Sequence, residues 1–170
     1  YLLMTVDHVI GGVHYDPERT RAEDVARKLV KRNVSDVAAM GGTPTHAVLA
    51  LAEGVGDDAW LMAFYRALGE EAARWKVSVT GGDYASLPLA GSVVASLTLL
   101  GKVSKDDICL RGAMRPGQDL YVTGCFGDSF HSGHHLSFVP RVEEARFLAG
   151  KHANAMIDVS DGLLLDLKRM

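Results

Sequence analysis

Four short acidic motifs hold the residues of this chain best suited to chemistry: Thr5-Val6-Asp7, Asn33-Val34-Ser35-Asp36, Gly81-Gly82-Asp83 and Asp158-Val159-Ser160-Asp161-Gly162. They share one local grammar. In each, an Asp stands where a strand is expected to hand over to a loop, or on a helix face among small residues. Carboxylates that converge at one sheet edge cannot all stay ionised unless cations neutralise them. Hard oxygen ligands of this kind imply magnesium, which one or two carboxylates hold together with substrate phosphates in phosphoryl transfer. Gly81 and Gly82 let backbone N–H groups approach a phosphate closely. Singly, each motif also has a plainer explanation. Asp161, before Gly162 and Leu163, reads equally as a helix cap, and His14 by composition as a polar residue at a strand end. Asp36 differs, because it falls inside a helical pattern where Asp is mildly unfavourable, beside Ala38, Ala39, Met40 and Gly41.

The elements that must position these residues are legible in the apolar periodicity. Tyr1 to Val9 is rich in β-formers, and Thr20 to Met40 carries Val25, Ala26, Leu29, Val30 and Val37 on one helical face. Thr45 to Ala52 reads as a strand. Asp57 and Asp58 then open an amphipathic helix through Trp60, Leu61, Phe64, Tyr65, Leu68 and Trp75. Val77 to Thr80 and Gly91 to Val103 complete a β-α-β-α-β-β unit. Such a unit covers one face of a small sheet with helices and leaves the other needing a second sheet or a second subunit, most simply in a dimer. Between Ser104 and Gly117 the chain turns polar, as a connection between domains does. The expected division is therefore residues 1–110 and 111–170, the second part holding a strand at 120–123, a helix at 141–149, a strand at 155–159 and a helix from Asp161 onward.

A net charge of −3 over 170 residues, with Lys and Arg scattered, disfavours nucleic acid and anionic membrane as partners. No apolar run is long enough to span a bilayer. Cys109 and Cys125 are too few and too far apart for a disulfide framework or a zinc site, read as packing residues, and fit a reducing cytoplasm. His131, His134 and His135 lie close together in a Gly- and Ser-rich loop, where a metal site competes with simple exposed histidines and lacks a Cys or carboxylate at ligand spacing. Tyr1 runs straight into the first acidic motif, and the last residues have a helical period with no stop signal, so both ends are expected to be cut.

Nearly the whole chain resembles the thiamine-monophosphate kinases in the order, spacing and wording of its motifs. The correspondence runs through Thr5-Val6-Asp7, Gly11-Gly12-Val13-His14-Tyr15, Asn33 to Gly41, Gly81 to Ala85, Arg111 to Gln118 and Asp158 to Leu163. The resemblance implies an α/β fold like that of the aminoimidazole ribotide synthetases, in which the N-terminal β-α-β-α-β-β sheet pairs across a homodimer and a second α/β domain follows. It implies magnesium ligands at Thr5, Asp7, Asp36, Asp83, Asp158 and Asp161, ATP contacts at Gly82, Asp83, Arg111 and Ser160, and a thiamine-phosphate contact at His14. The activity implied is magnesium-dependent transfer of the ATP γ-phosphoryl group to thiamine monophosphate, giving thiamine diphosphate and ADP. Val6, Gly11, Tyr84 and Ala85 depart from the family's wording, so any ligand from position 6 must be main-chain. Two other readings stand beside this one. One is another ATP-using member of the same superfamily, in hydrogenase maturation, selenophosphate or aminoimidazole ribotide synthesis. The other is a catalytically silent nucleotide- or metal-binding module that serves as an oligomerisation domain.

Overall fold

The structure is a computed structural model that describes residues 1–170. Its first part realises the expected unit: β1 (Leu2–Ile10), α1 (Ala22–Ala39), β2 (Thr43–Glu53), α2 (Asp58–Arg74), β3 (Ser78–Ser86) and β4 (Val93–Lys102). The four strands form one sheet in the order β1-β4-β2-β3. β4 is antiparallel to both of its neighbours, and β2 and β3 are parallel. The first three strands therefore run the same way, and β4 is inserted between the first two.

Alternation decides which face is covered. On β4, Val93, Ala95, Leu97 and Leu99 are buried, and on β2 Ala47, Leu49 and Leu51. They meet Val25, Leu29, Val30, Val34 and Val37 of α1 and Phe64, Ala67, Leu68 and Ala72 of α2 in a single core. The in-between residues of the same strands face away from the helices, as a period of two requires. On β1 these include Leu2, Met4 and Val6, which are 75%, 74% and 65% exposed. Local signals set the helix ends: the Asp57 carboxylate accepts the Ala59 N–H at 2.8 Å to cap α2, and Gly41, at φ 73°, closes α1 in a conformation that disfavours any side chain.

β3 is longer than its short apolar run suggests and contains the whole Gly81-Gly82-Asp83 motif. Glycines normally weaken a strand. Here a Cβ at Gly82 would collide with the Leu49 carbonyl of β2, so the bare backbone is what lets the two strands approach.

After Lys102 a 3-10 turn (Arg111–Ala113) is followed by α3 (His134–Ser137), α4 (Val142–Leu148) and α5 (Leu163–Leu167). α3 and α4 lie against α1. The runs 120–123 and 155–159 form no strand. Each is β-prone but finds no ladder partner in this chain, and a strand without a neighbour leaves its polar backbone unpaired. Cys109 is fully buried, with its thiol 3.2 Å from the Ala153 carbonyl, as a packing residue should be; Cys125 is exposed and is not one.

Candidate active site

Residues from both parts of the chain meet where the second half of α1 lies along β1. Asp36 is inside α1 and accepts a hydrogen bond from the Thr5 hydroxyl of β1. Ser35, its neighbour, donates to Asp158 at 3.0 Å across 123 positions of sequence. Asp7 lies two residues beyond Thr5 on the same face of β1 and is gripped by Arg32 of α1, with Nε and Nη2 each 3.0 Å from a carboxylate oxygen. The third guanidinium nitrogen donates to the His8 carbonyl at 3.0 Å. Arg32 and Asp36 are four positions apart, one turn of helix, which is why both reach the same strand.

The electrostatics follow from this crowding. Burial pushes the Asp36 carboxyl up to about 6, with Asp158 and Asp7 adding repulsion against the opposing pull of Thr5 and Arg32. Asp158 is also raised, chiefly by burial, with Asp166 and Asp7 adding to it and Ser35 opposing. Arg32 alone cannot neutralise three carboxylates. No three His, Cys, Asp or Glu side chains stand close enough together to ligate one ion as placed. The donor set, three carboxylates and the Thr5 hydroxyl, nevertheless fits a hard divalent cation, whose binding would offset the cost of burying Asp36 and Asp158 and the lesser repulsion between them.

His14 sits in the turn after β1, with its Nδ1 accepting the Ile10 N–H at 3.1 Å. That bond places the proton of the neutral ring on Nε2. Burial, then Arg32, His8 and Lys28, lower its pKa and so favour the neutral form. The His8 ring stands edge-on to it at 5.4 Å. Val6 points to the opposite, uncovered face, so only its main chain belongs on the side of the cluster.

The remaining residues singled out in the sequence are not brought to this point. Asp7 pairs with Leu97, Leu97 with Leu49, and Leu49 with Gly82, so Gly82 shares the row and face of Asp7 from the far edge of the sheet. Three strand spacings separate them, about 14 Å. Asp83, one residue on, faces the other way, into a shallow depression with Ala50, Ala52, Ala85, Val94 and Ser96. The expectation that these Asp residues sit at strand ends and converge at one edge is thus corrected: Asp7 and Asp83 lie inside β1 and β3, on opposite edges and opposite faces. Arg111 is exposed in the 3-10 turn. Asp161 does not cap α5; its carboxylate pairs with Arg169 at 2.5 Å.

That capping falls to a residue the sequence reading passed over. Asp166 is 1% exposed and one of its oxygens accepts the N–H groups of Ser160, Asp161 and Gly162 at 2.9, 2.9 and 3.1 Å. Its other oxygen meets Arg169 at 2.8 Å. Arg32 and Lys28 were passed over too. The signal was present, since Lys28, Arg32 and Asp36 recur every four residues on one helical face. The three loop histidines do not form a metal centre; His135 instead faces Lys28 at 2.8 Å.

The family model for the AIR synthase related protein, N-terminal domain, matches residues 1–103. The chain belongs to that family. It is 36% identical over 166 residues to the thiamine-monophosphate kinase of Rhodopirellula baltica, covering 96% of this chain and 51% of that protein. Against the thiamine-monophosphate kinase of Escherichia coli it is 32% identical over 186 residues, with 98% and 55% covered. The crystal structure of thiamine-monophosphate kinase from Stenotrophomonas maltophilia superimposes with a TM-score of 0.88 at 30% identity, over 99% of this chain and 59% of that one. The chain thus spans about half the length of the curated relatives it matches. The fold expected of the family, a mixed α/β sheet unit, is the fold observed.

Proposed function

We propose that the protein carrying this chain is a thiamine-monophosphate kinase, transferring the ATP γ-phosphoryl group to thiamine monophosphate and releasing thiamine diphosphate and ADP. One observation carries the reading: Asp7, Asp36 and Asp158 crowd together beside the His14 turn, in a chain whose relatives bear that name. Thr5, Asp7, Asp36 and Asp158, with Asp83 and Asp161, are the proposed magnesium ligands. Magnesium, when bound, offsets the charge that develops between donor and acceptor phosphates. Gly82, Asp83, Arg111 and Ser160 are the proposed ATP contacts, and His14 offers its Nε2–H to the acceptor. No general base is needed, because a phosphate oxygen is already ionised near neutral pH, and positioning with charge neutralisation supplies most of the catalysis.

A homodimer through the uncovered sheet face belongs to the same reading, and Asp83, which opens onto that face, would then lie at the subunit boundary. A cytoplasmic location is supported by two free thiols; no helix is long and apolar enough to cross a membrane. The decisive experiment is product analysis of the full-length protein with ATP and, in turn, thiamine monophosphate, free thiamine and hydroxymethylpyrimidine phosphate. Preference for thiamine monophosphate is expected. Equal or better use of either other acceptor would sink the assignment.

A further inference from the structure

Lys28 and Lys31 of α1 are 8% and 6% exposed, and both donate to main-chain carbonyls instead of carboxylates. Lysine is rarely buried this far without an anionic partner, because desolvating the ammonium is costly. A Met or Leu would fill the same space without that cost, so what the ammonium groups hold is informative. Lys28 Nζ lies 2.5 Å from the His14 carbonyl and 2.8 Å from Nδ1 of His135. Lys31 Nζ donates to the Leu136 carbonyl at 2.6 Å and sits 4.9 Å above the Phe138 ring. The segment 126–138 is otherwise self-contained, with His135 stacked on Phe130 at 4.7 Å and its N–H bonded to Ser129. The two lysines are therefore the polar anchors that hold this strap on the helix.

We propose that Lys28 is a positioning residue for His14: one ammonium group ties the main chain at His14 to the imidazole of His135, so that the strap 126–138 closes on α1 and fixes the His14 turn beside the carboxylate cluster. The proposal rests on the reading of His14 as the acceptor contact. The His14 ring is already oriented through Nδ1 by the Ile10 N–H, and Lys28 restrains the same residue through its carbonyl. With both fixed, Nε2 alone remains free to meet a ligand. Burial lowers the Lys28 pKa to about 8, with Arg32 and Lys31 contributing, which is the cost of holding a cation here without a counter-ion.

Lys28→Met, Lys28→Arg and His135→Ala in the full-length protein test this. Phe126, Phe130 and Phe138 lie in the strap, so limited chymotrypsin digestion reads its closure directly. Lys28→Met should be cut there about tenfold faster than wild type, the effect of losing a hydrogen bond to a charged donor. Lys28→Arg keeps the charge and donors and should restore protection. In turnover, Lys28→Met should raise KM for thiamine monophosphate about tenfold and leave KM for ATP unchanged, again with rescue by Arg. Wild-type cleavage in Lys28→Met overturns the tether, and an equal rise in both KM values overturns the positioning role. If Lys28→Met does not fold, His135→Ala, at a half-buried position of the strap, reads the same two quantities, and no change in either overturns the proposal. Absence of thiamine monophosphate turnover in wild type would be a failure of the proposed kinase function, and of the His14 reading with it; strap protection and the His14 imidazole NMR shift in Lys28→Met would still decide the tether.

Discussion

At the scale of single residues, Asp36 has the sharpest consequences. Asp36→Asn keeps the size and the acceptor for Thr5 but removes the charge that would hold a cation. Turnover in the full-length protein should fall about a hundredfold or more, with partial rescue at high magnesium. Wild-type turnover with unchanged magnesium dependence would remove Asp36 from the site. The metal-free fold should respond in the opposite sense. The folded-state pKa is raised to about 6 from an ordinary 3.8, so the wild type is penalised as pH rises through that window. Asn carries no such penalty, and above pH 6 it should stabilise the metal-free protein by on the order of 1 kcal/mol after solvent screening is allowed for. Below pH 4 the two should converge. Thermal unfolding across pH, with and without magnesium, reads both effects, and a mutant less stable than wild type at pH 8 without metal would contradict the crowding. Asp36 was legible in the sequence because an unfavourable Asp inside a helix needs a reason. Arg32, Lys28 and Asp166 were less so, since what a long charged side chain pairs with depends on which strand or loop the fold delivers to it.

At the scale of elements, legibility followed from whether an element carries its own signals. α1 and α2 announce themselves by an apolar face and, for α2, an Asp cap, and β1, β2 and β4 by runs rich in β-formers or apolar residues. The runs 120–123 and 155–159 have the composition of strands, but composition supplies no ladder partner. β3 shows the reverse error. Its apolar run ends at Thr80, while pairing with β2 carries the strand on to Ser86, through glycines that the sequence places in a loop. That one change of boundary moves Asp83 to the opposite face from Gly82, because neighbours in a strand alternate. The close approach at Gly82 is testable. Gly82→Ala must push its new methyl against the Leu49 carbonyl and should cost about 1–3 kcal/mol, whereas Gly81→Ala meets nothing within 4 Å and should stay within about half a kcal/mol. Denaturant unfolding of the two variants side by side checks this; equal stabilities would mean that β3 does not depend on a bare backbone at residue 82.

At the scale of the whole molecule, the covered and uncovered faces of one sheet set the expected assembly. α1 and α2 cover one face of β1, β4 and β2, and the other presents Leu2, Met4 and Val6 of β1 with Val48 and Val94 of the inner strands. Exposed apolar side chains on three strands of one face are more than a soluble surface usually leaves open, and a two-fold partner offering the same face is the simplest cover. Small residues at the centre of that face, Ala50 and Ser96 beside Asp83, would let two sheets approach without steric conflict. The full-length protein is therefore expected to sediment as a homodimer at micromolar concentration. Val6→Asp places a charge within the patch and away from the helix-side core, so it should shift the equilibrium toward monomer while leaving the far-UV circular dichroism of the fold unchanged. If Asp83 acts at the subunit boundary, that monomer should also lose ATP affinity, although Val6 itself is on the opposite edge of the sheet from Asp83. Sedimentation equilibrium and nucleotide titration on the same samples separate the outcomes. A monomeric wild type contradicts the sheet pairing, and a monomeric Val6→Asp with undiminished ATP binding shows that each chain completes its nucleotide site alone.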